Sequence, residues 1–209
     1  MRNLVLLALI AVISYFLGGL NGAIIISQVI YRKDIREYGS GNAGMTNMLR
    51  TFGVSAALMV VAVDVGKSIV AVFIGNWLFG YAGYQTLGRL FAGFCVMMGH
   101  IFPAMYNFKG GKGVLSGAVM LLFVDWRVAL VCIGIFAVTV AITRYVSLGS
   151  ILAAVTFPIT MFFMPGHTRI EAAVSLLCAL LVIFKHRENI GRLVTGKESK
   201  VSVGGKKPV

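Results

Sequence analysis

The sequence is poor in acid, in charge of either sign and in cysteine. Seven Asp and Glu stand against 19 Lys and Arg in 209 residues, and charged side chains make up only 12% of the chain. Soluble domains carry about a quarter. A water-soluble domain with an ordinary surface is therefore excluded, as is a charged disordered chain. So few carboxylates also leave little from which to build a metal site of paired acids. Cys95, Cys132 and Cys178 are far apart and show no CxxC or Cys/His spacing, which excludes a disulfide scaffold, a zinc site and a redox pair. Each lies in an apolar run and reads as a small buried hydrophobe.

What the chain does have is apolar length. Hydrophobic residues reach 58%, and the mean hydropathy is +0.90. The basic excess, net +12, falls between long apolar runs instead of along a solvated face, which points to a membrane and not to nucleic acid. At roughly 20 residues per crossing the length allows about seven spans. The first run, near 4–31, is too long for a signal peptide and reads as a retained helix, although Asn21 and Gln28 interrupt it. The later spans are expected near 53–80, 85–106, 112–124, 127–143, 149–164 and 169–185, with Pro158 kinking the sixth and Pro165-Gly166 closing it. Many glycines fall inside these runs, where they let membrane helices approach closely. The expected organisation is one membrane domain over 1–198, followed by a disordered basic tail over 199–209.

Orientation follows from Lys and Arg. With seven spans, 14 of them fall on the side of the C-terminus, and Arg2, Arg89, Arg127 and Arg169 fall on the other, with Lys67 inside a span. The positive-inside rule puts the C-terminus in the cytoplasm and the N-terminus outside. The fold class expected is thus an all-α integral membrane protein, a seven-transmembrane-helix bundle.

The polar stretches crowd the cytoplasmic side. The first runs from Gly39 through Ser40, Gly41, Asn42, Gly44, Thr46 and Asn47 to Arg50. Its glycines can turn backbone N–H groups toward an anion, and a helix starting near Thr46 would place Arg50 on the same face one turn later. The second joins Gly99-His100-Ile101-Phe102-Pro103 to Lys109-Gly110-Gly111-Lys112-Gly113. It lacks the spacing of a nucleotide P-loop, and glycine follows Lys112, so what remains is a phosphate or carboxylate cradle with two ammonium groups. The bland reading of those lysines is snorkelling to anionic headgroups. The third, 185–193, sets His186 and Asn189 on one helical face; His186 serves there as general base, orienting donor or plain interface anchor. A weaker fourth stretch brings Arg144 and Ser147 to the same side. Asp64 and Lys67, three apart within a span, suit a structural ion pair or a transport pathway. Asp125, His167 and Glu171 read as solvated loop residues. No Asp-rich metal motif and no nucleophile elbow occurs, so the residues speak for anion handling without metal or other cofactor.

Four segments carry a resemblance: GSGNAGMTNMLR at 39–50, GHIFPAMYNFKGGKGV at 99–114, RYVSL at 144–148 and HRENIGRL at 186–193. In that order they resemble the bacterial acyl-phosphate:glycerol-3-phosphate acyltransferases, the family usually called PlsY, over about residues 5 to 198. The resemblance implies a seven-helix membrane enzyme with its active site at the cytoplasmic face of the inner or plasma membrane. It implies transfer of a fatty acyl group from acyl phosphate to the sn-1 hydroxyl of glycerol 3-phosphate, giving lysophosphatidic acid and phosphate. The partners are then those two substrates, membrane lipid and an enzyme that supplies acyl phosphate, with no nucleic acid and no cofactor. The family lacks the HX4D motif of other acyltransferases, and here the fifth residues after His100, His167 and His186 are Met105, Ala172 and Gly191. Ser40, Arg50, Lys112, Ser147, His186 and Asn189 fall on the positions with which the family holds substrates. To these the cradle argument adds Gly41, Asn42, Thr46, Lys109, Gly110, Gly111 and Gly113. Lys112 and the glycine-rich loop would hold the acyl phosphate; Arg50, His186 and Asn189 would hold glycerol 3-phosphate, with Ser40 and Ser147 in support. The hydroxyl proton passes either to the substrate's own phosphate or to His186. The chain departs from many relatives at Ser68, where a glycine is expected after Lys67, and in its longer tail. A small-anion transporter is the rival reading, which polar residues running across the bilayer would favour. An inactive scaffold is a third, but it would leave two anion cradles unexplained.

Overall fold

The computed structural model describes residues 2–81 and 83–201, and every regular element among them is helical. The chain divides into two compact units, the first running to Met120 and the second starting at Leu121. Unit 1 holds α1 (Arg2–Gly19), α2 (Gly22–Val29), α3 (Met45–Phe52), α4 (Val54–Gly80), α5 (Gln85–Ile101) and the start of α6 (Val114–Val124). Unit 2 holds the end of α6, then α7 (Trp126–Thr143), α8 (Val146–Phe163), α9 (Arg169–Lys185) and α10 (Arg187–Val194).

Among the described residues, five stretches are long and apolar enough to cross a membrane: Asn3–Val29, Val54–Gly80, Gln85–Tyr106, Trp126–Thr143 and Val146–Phe163. Helices α6 and α9 occupy the other two expected spans but are shorter, and α9 carries Arg169, Glu171 and Lys185 within its 17 residues. The first expected span is not one helix. It breaks after Gly19, and Asn21 caps the second piece by accepting from the Ile24 amide at 3.1 Å.

Glycine decides how closely unit 1 packs. A methyl group on Gly18 would run into the Val96 carbonyl, and one on Gly99 into the Tyr15 carbonyl, so α1 and α5 touch backbone to backbone. Gly75 of α4 and Gly88 of α5 make a second contact of the same kind. Such approach gains dispersion where lipid offers no hydrophobic drive between helices. A separate apolar cluster of Ala23, Ile24, Ile35, Ala43, Met48, Ala56 and Val60 underlies the polar stretch at 39–50, with Tyr31 and Phe52 stacked at 4.3 Å beside it. All three cysteines are buried and none forms a disulfide, as small hydrophobes would.

In unit 2, the turn between α6 and α7 is tied to the turn between α8 and α9. Asp125 accepts from the Arg127 amide at 2.8 Å, pairs with its guanidinium at 2.6 Å, and meets His167 Nε2 at 3.0 Å. The Arg127 hydrogen bonds lower the Asp125 pKa to about 2. Thr168 and Glu171 then form a capping box at the start of α9. These acids and His167 were expected to be solvated, yet their side chains are only 4–10% exposed. The correction has a physical cause: each carboxylate finds backbone N–H groups and a cationic or imidazole partner within one turn, so burial costs it little.

Candidate active site

Unit 1 brings the first two polar stretches together. Gly39 (φ +59°) and Gly41 (φ +69°) take left-handed backbone, and the loop runs into α3 at Met45, close to the expected start. Ser40 is exposed on this loop and Asn42 is partly buried behind it. Thr46 and Arg50 lie one turn apart on α3, the first partly buried and the second exposed. Asn47, another polar residue of that stretch, serves the loop itself. Its Oδ1 accepts from the Ser40 amide at 3.0 Å and its Nδ2 donates to the Ile35 and Tyr38 carbonyls at 3.3 and 2.9 Å, so its buried amide stitches the loop together.

The second stretch folds back on the end of α5. Gly110 N–H donates to the Ile101 carbonyl at 3.1 Å and Gly111 N–H to the His100 carbonyl at 3.0 Å. The Gly41 amide is likewise committed, to Tyr38 O at 3.0 Å. These three glycines were expected to aim N–H groups at an anion. They instead satisfy carbonyls of the chain itself, chiefly the orphan ones at the end of α5, and what they contribute is close approach. A methyl on Gly110 would strike the His100 carbonyl, and one on Gly111 would strike both His100 Nε2 and the Ala43 carbonyl. Gly113 has φ +75° and leads directly into α6. Lys112 is partly buried beside that helix start, and Lys109 is exposed. The positive element is therefore Lys112 with the first turn of α6, where N–H groups lack intrahelical acceptors.

A strap that the sequence did not announce links the two loops. Arg36 pairs with Asp34 at 2.6 Å and donates to the Tyr106 carbonyl at 3.0 Å and the Lys109 carbonyl at 3.5 Å. The hydrogen bonds from Arg36 hold the Asp34 carboxyl below its ordinary value, against the opposing effect of burial.

Unit 2 gathers Ser147 and Asn189 around a carboxylate that was not predicted. Ser147 sits in the first turn of α8 and Asn189 in α10. Glu198 Oε1 accepts from Ser147 Oγ and from Asn189 Nδ2, both at 2.7 Å, and Oε2 accepts from Arg192 Nε at 2.8 Å. Burial pushes the Glu198 carboxyl up, but the bonds from Arg192, Asn189 and Ser147 outweigh it and the pKa is lowered. The segment around it is bonded down too: the amides of Lys197 and Glu198 donate to Arg192 O, and Val201 N–H donates to Arg144 O. The expected tail disorder falls mostly on 202–209, outside the described residues. His186 lies at the joint between α9 and α10, 2% exposed, with Nδ1 at 2.8 Å from the Val182 carbonyl. A carbonyl can only accept, so Nδ1 carries a proton and donates to it. His186 and Asn189 are three apart, the first at that joint and the second within α10.

No group of three or more His, Cys, Asp or Glu suited to a metal occurs among the described residues. Only the environment of Glu198, one acid in a basic segment, could have betrayed it in the sequence. Chemically, the first unit offers cations and a helix start for a phosphate, and the second offers an imidazole together with an ordered hydroxyl and amide.

Comparison with known proteins bears on this chemistry. The family model described as glycerol-3-phosphate acyltransferase matches residues 8–196. A glycerol-3-phosphate acyltransferase of Finegoldia magna is 38% identical over 199 residues, covering 95% of this chain and 98% of that one. One from Prochlorococcus marinus is 44% identical over 197 residues, covering 93% and 97%. The crystal structure of PlsY (YgiH), an integral membrane glycerol 3-phosphate acyltransferase, in its glycerol 3-phosphate form, superposes with a TM-score of 0.83 at 28% identity, covering 94% of this chain and 96% of that one. Its lysophosphatidic acid form gives a TM-score of 0.80. With its long apolar helices the chain is a multi-pass integral membrane protein. It belongs to the glycerol-3-phosphate acyltransferase family.

Proposed function

We propose that this protein acylates the sn-1 hydroxyl of glycerol 3-phosphate, with acyl phosphate as donor, and releases lysophosphatidic acid and phosphate. The observation that carries the reading is the joint presence of a lysine-bearing glycine loop packed on a second polar loop in unit 1 and an ordered His-Asn-Ser group in unit 2, in a chain of this family. The relatives' glycerol 3-phosphate and lysophosphatidic acid forms support the acceptor and the product. A sequence with few acidic groups and no nucleophile elbow supports a donor that is already activated.

The hydroxyl oxygen attacks the acyl carbonyl carbon, the bond from that carbon to the phosphate oxygen breaks, and the phosphate leaves with the hydroxyl proton. Lys112 and the α6 start hold the departing phosphate, where fixed positive charge stabilises what develops. Arg50 and Thr46 on α3, with Ser40, Asn42 and Lys109, handle the second phosphate. His186 Nε2 accepts from the glycerol hydroxyl and orients it. Ser147 and Asn189, whose donors are engaged by Glu198, act from fixed positions, and positioning is a large share of what an activated donor needs. The alternative is His186 as a true base, and the two versions separate cleanly. His186→Ala that keeps most of kcat with a raised KM supports orientation; abolished turnover supports the base.

We place the chain in the inner or plasma membrane as one domain with seven crossings, α6 and α9 joining the five long spans, the N-terminus outside and the polar loops cytoplasmic. The charge asymmetry supports this. An acyl-phosphate-forming enzyme supplies the donor. The test is product analysis with labelled glycerol 3-phosphate and purified protein, comparing palmitoyl phosphate with palmitoyl-CoA. Labelled lysophosphatidic acid from the phosphate alone is the expected result. Product from palmitoyl-CoA alone would overturn the donor; no product from either, with anion flux in liposomes, would favour the transporter.

A further inference from the structure

The break in the first span is held by an ion pair from another helix. Lys67 Nζ stands 2.7 Å from Asp64 Oδ1, and their side chains are 3% and 2% exposed. The ammonium also donates to the carbonyls of Gly18 at 3.0 Å and Leu20 at 2.9 Å, at the end of α1. Asp64 Oδ1 accepts from the Gly22 amide at 3.2 Å, at the start of α2. Two helix ends inside an apolar segment leave carbonyls and amides orphaned, at a cost of several kcal/mol each without partners. One ion pair from α4 supplies a donor to one end and an acceptor to the other.

The pair does not stop there. His100 Nδ1 lies 3.0 Å from Lys67 Nζ and 3.6 Å from Asp64 Oδ1. The Nδ1 edge of the ring thus meets the ion pair, and Nε2 lies on its other edge. That Nε2 edge is the surface against which Gly111 packs, with the Ala43 carbonyl on its other side. From the break itself, Asn21 Nδ2 donates to the same Ala43 carbonyl at 3.3 Å. The buried polar group thus reaches Ala43 in the loop that carries Ser40, and Gly111 in the loop that carries Lys112. A transport pathway is a poor account of a pair so enclosed and so fully committed to backbone groups.

We propose that Asp64, Lys67 and His100 are positioning residues for acyl transfer: the ion pair that splices the broken first span sets, through the His100 ring, the placement of the Lys112 loop against the Ala43 loop. The proposal rests on the acyltransferase reading above for its kinetic consequence. For its structural consequence it does not.

The experiment uses the full chain in detergent with His100→Ala, His100→Asn and the double variant Asp64→Asn/Lys67→Met. The double is chosen because removing one partner alone leaves an unpaired buried charge and destabilises the fold. Steady-state kinetics with palmitoyl phosphate and glycerol 3-phosphate are read beside hydrogen exchange of the peptides covering 39–47 and 109–114. For His100→Ala we expect KM for at least one substrate to rise about tenfold or more while kcat changes by less than about threefold. Exchange in both loops should rise about tenfold while α4 stays protected. His100→Asn keeps an acceptor toward Lys67 and should recover most of both effects, and the double variant should resemble His100→Ala. Unchanged KM and unchanged loop exchange in His100→Ala would overturn the proposal. So would loosening of α4 together with the loops, which would make the group structural only. If the wild-type protein shows no acyl transfer, the functional reading fails, and the exchange data alone still decide whether His100 orders the loops.

Discussion

The two units solve the same problem, holding polar groups still at the end of apolar helices, by opposite means. In unit 1 the frame is backbone: glycines let the 110–113 loop lie against the end of α5 and against Ala43, and their amides close the orphan carbonyls there. In unit 2 the frame is one side chain, with Glu198 collecting Ser147, Asn189 and Arg192. A backbone frame fails when a methyl group is added. A side-chain frame fails when one carboxylate is taken away or protonated.

The sharpest way to break the first frame is Gly111→Ala. The new methyl meets the His100 ring and the Ala43 carbonyl, neither of which can give without moving a loop. Overpacking of this kind costs about 1–3 kcal/mol, and a displacement of about 1 Å at a reacting group costs roughly a hundredfold. Steady-state rates should therefore fall by about two orders of magnitude in kcat/KM, with the melting temperature lowered.

Glu198→Ala tests the second frame. It leaves a buried hydroxyl and amide without their acceptor, at about 1–3 kcal/mol for such groups, and activity should fall about tenfold. Ala is expected to be worse than Gln, which keeps an acceptor for Ser147; equal loss in the two would show that charge alone matters. The comparison also has a pH arm. A carboxyl with a folded pKa below its ordinary 4.5 contributes stability that is fully present above that value and lost as pH falls through the folded one. Melting in detergent should thus drop below about pH 4.5 in the wild type, and this component should be missing in Glu198→Gln. The smallest effect belongs to Gly191→Ala. No atom lies within 4 Å of the added methyl, and alanine favours helix over glycine by about 1 kcal/mol. Activity should stay within about twofold and the melting temperature should hold or rise slightly. A large loss there would mean that the side-chain frame is as intolerant of volume as the backbone one.

Apolar length made the helices legible: α4, α5, α7 and α8 lie close to the spans expected from hydropathy alone. The break in the first span was not legible, because a single Asn barely disturbs a long apolar average, and the groups that stabilise the break come from α4, over 40 residues away. The polar stretches showed which residue types gather, but not which donors are already spent. Asn47 and the glycine amides looked available because backbone carbonyls leave no trace in a sequence. Glu198 was unremarked for the same reason: its partners Ser147 and Asn189 lie 51 and 9 residues away. His100 stood in a recognised stretch, yet its tie to Lys67 spans 33 residues and two helices.

The most direct test is release of phosphate from palmitoyl phosphate by the purified protein, with and without glycerol 3-phosphate, beside Lys112→Ala. Release that requires glycerol 3-phosphate, matches lysophosphatidic acid formed mole for mole, and falls about a hundredfold or more in the variant is the predicted result. Release that ignores glycerol 3-phosphate, or that survives loss of Lys112 at the wild-type rate, would contradict the account.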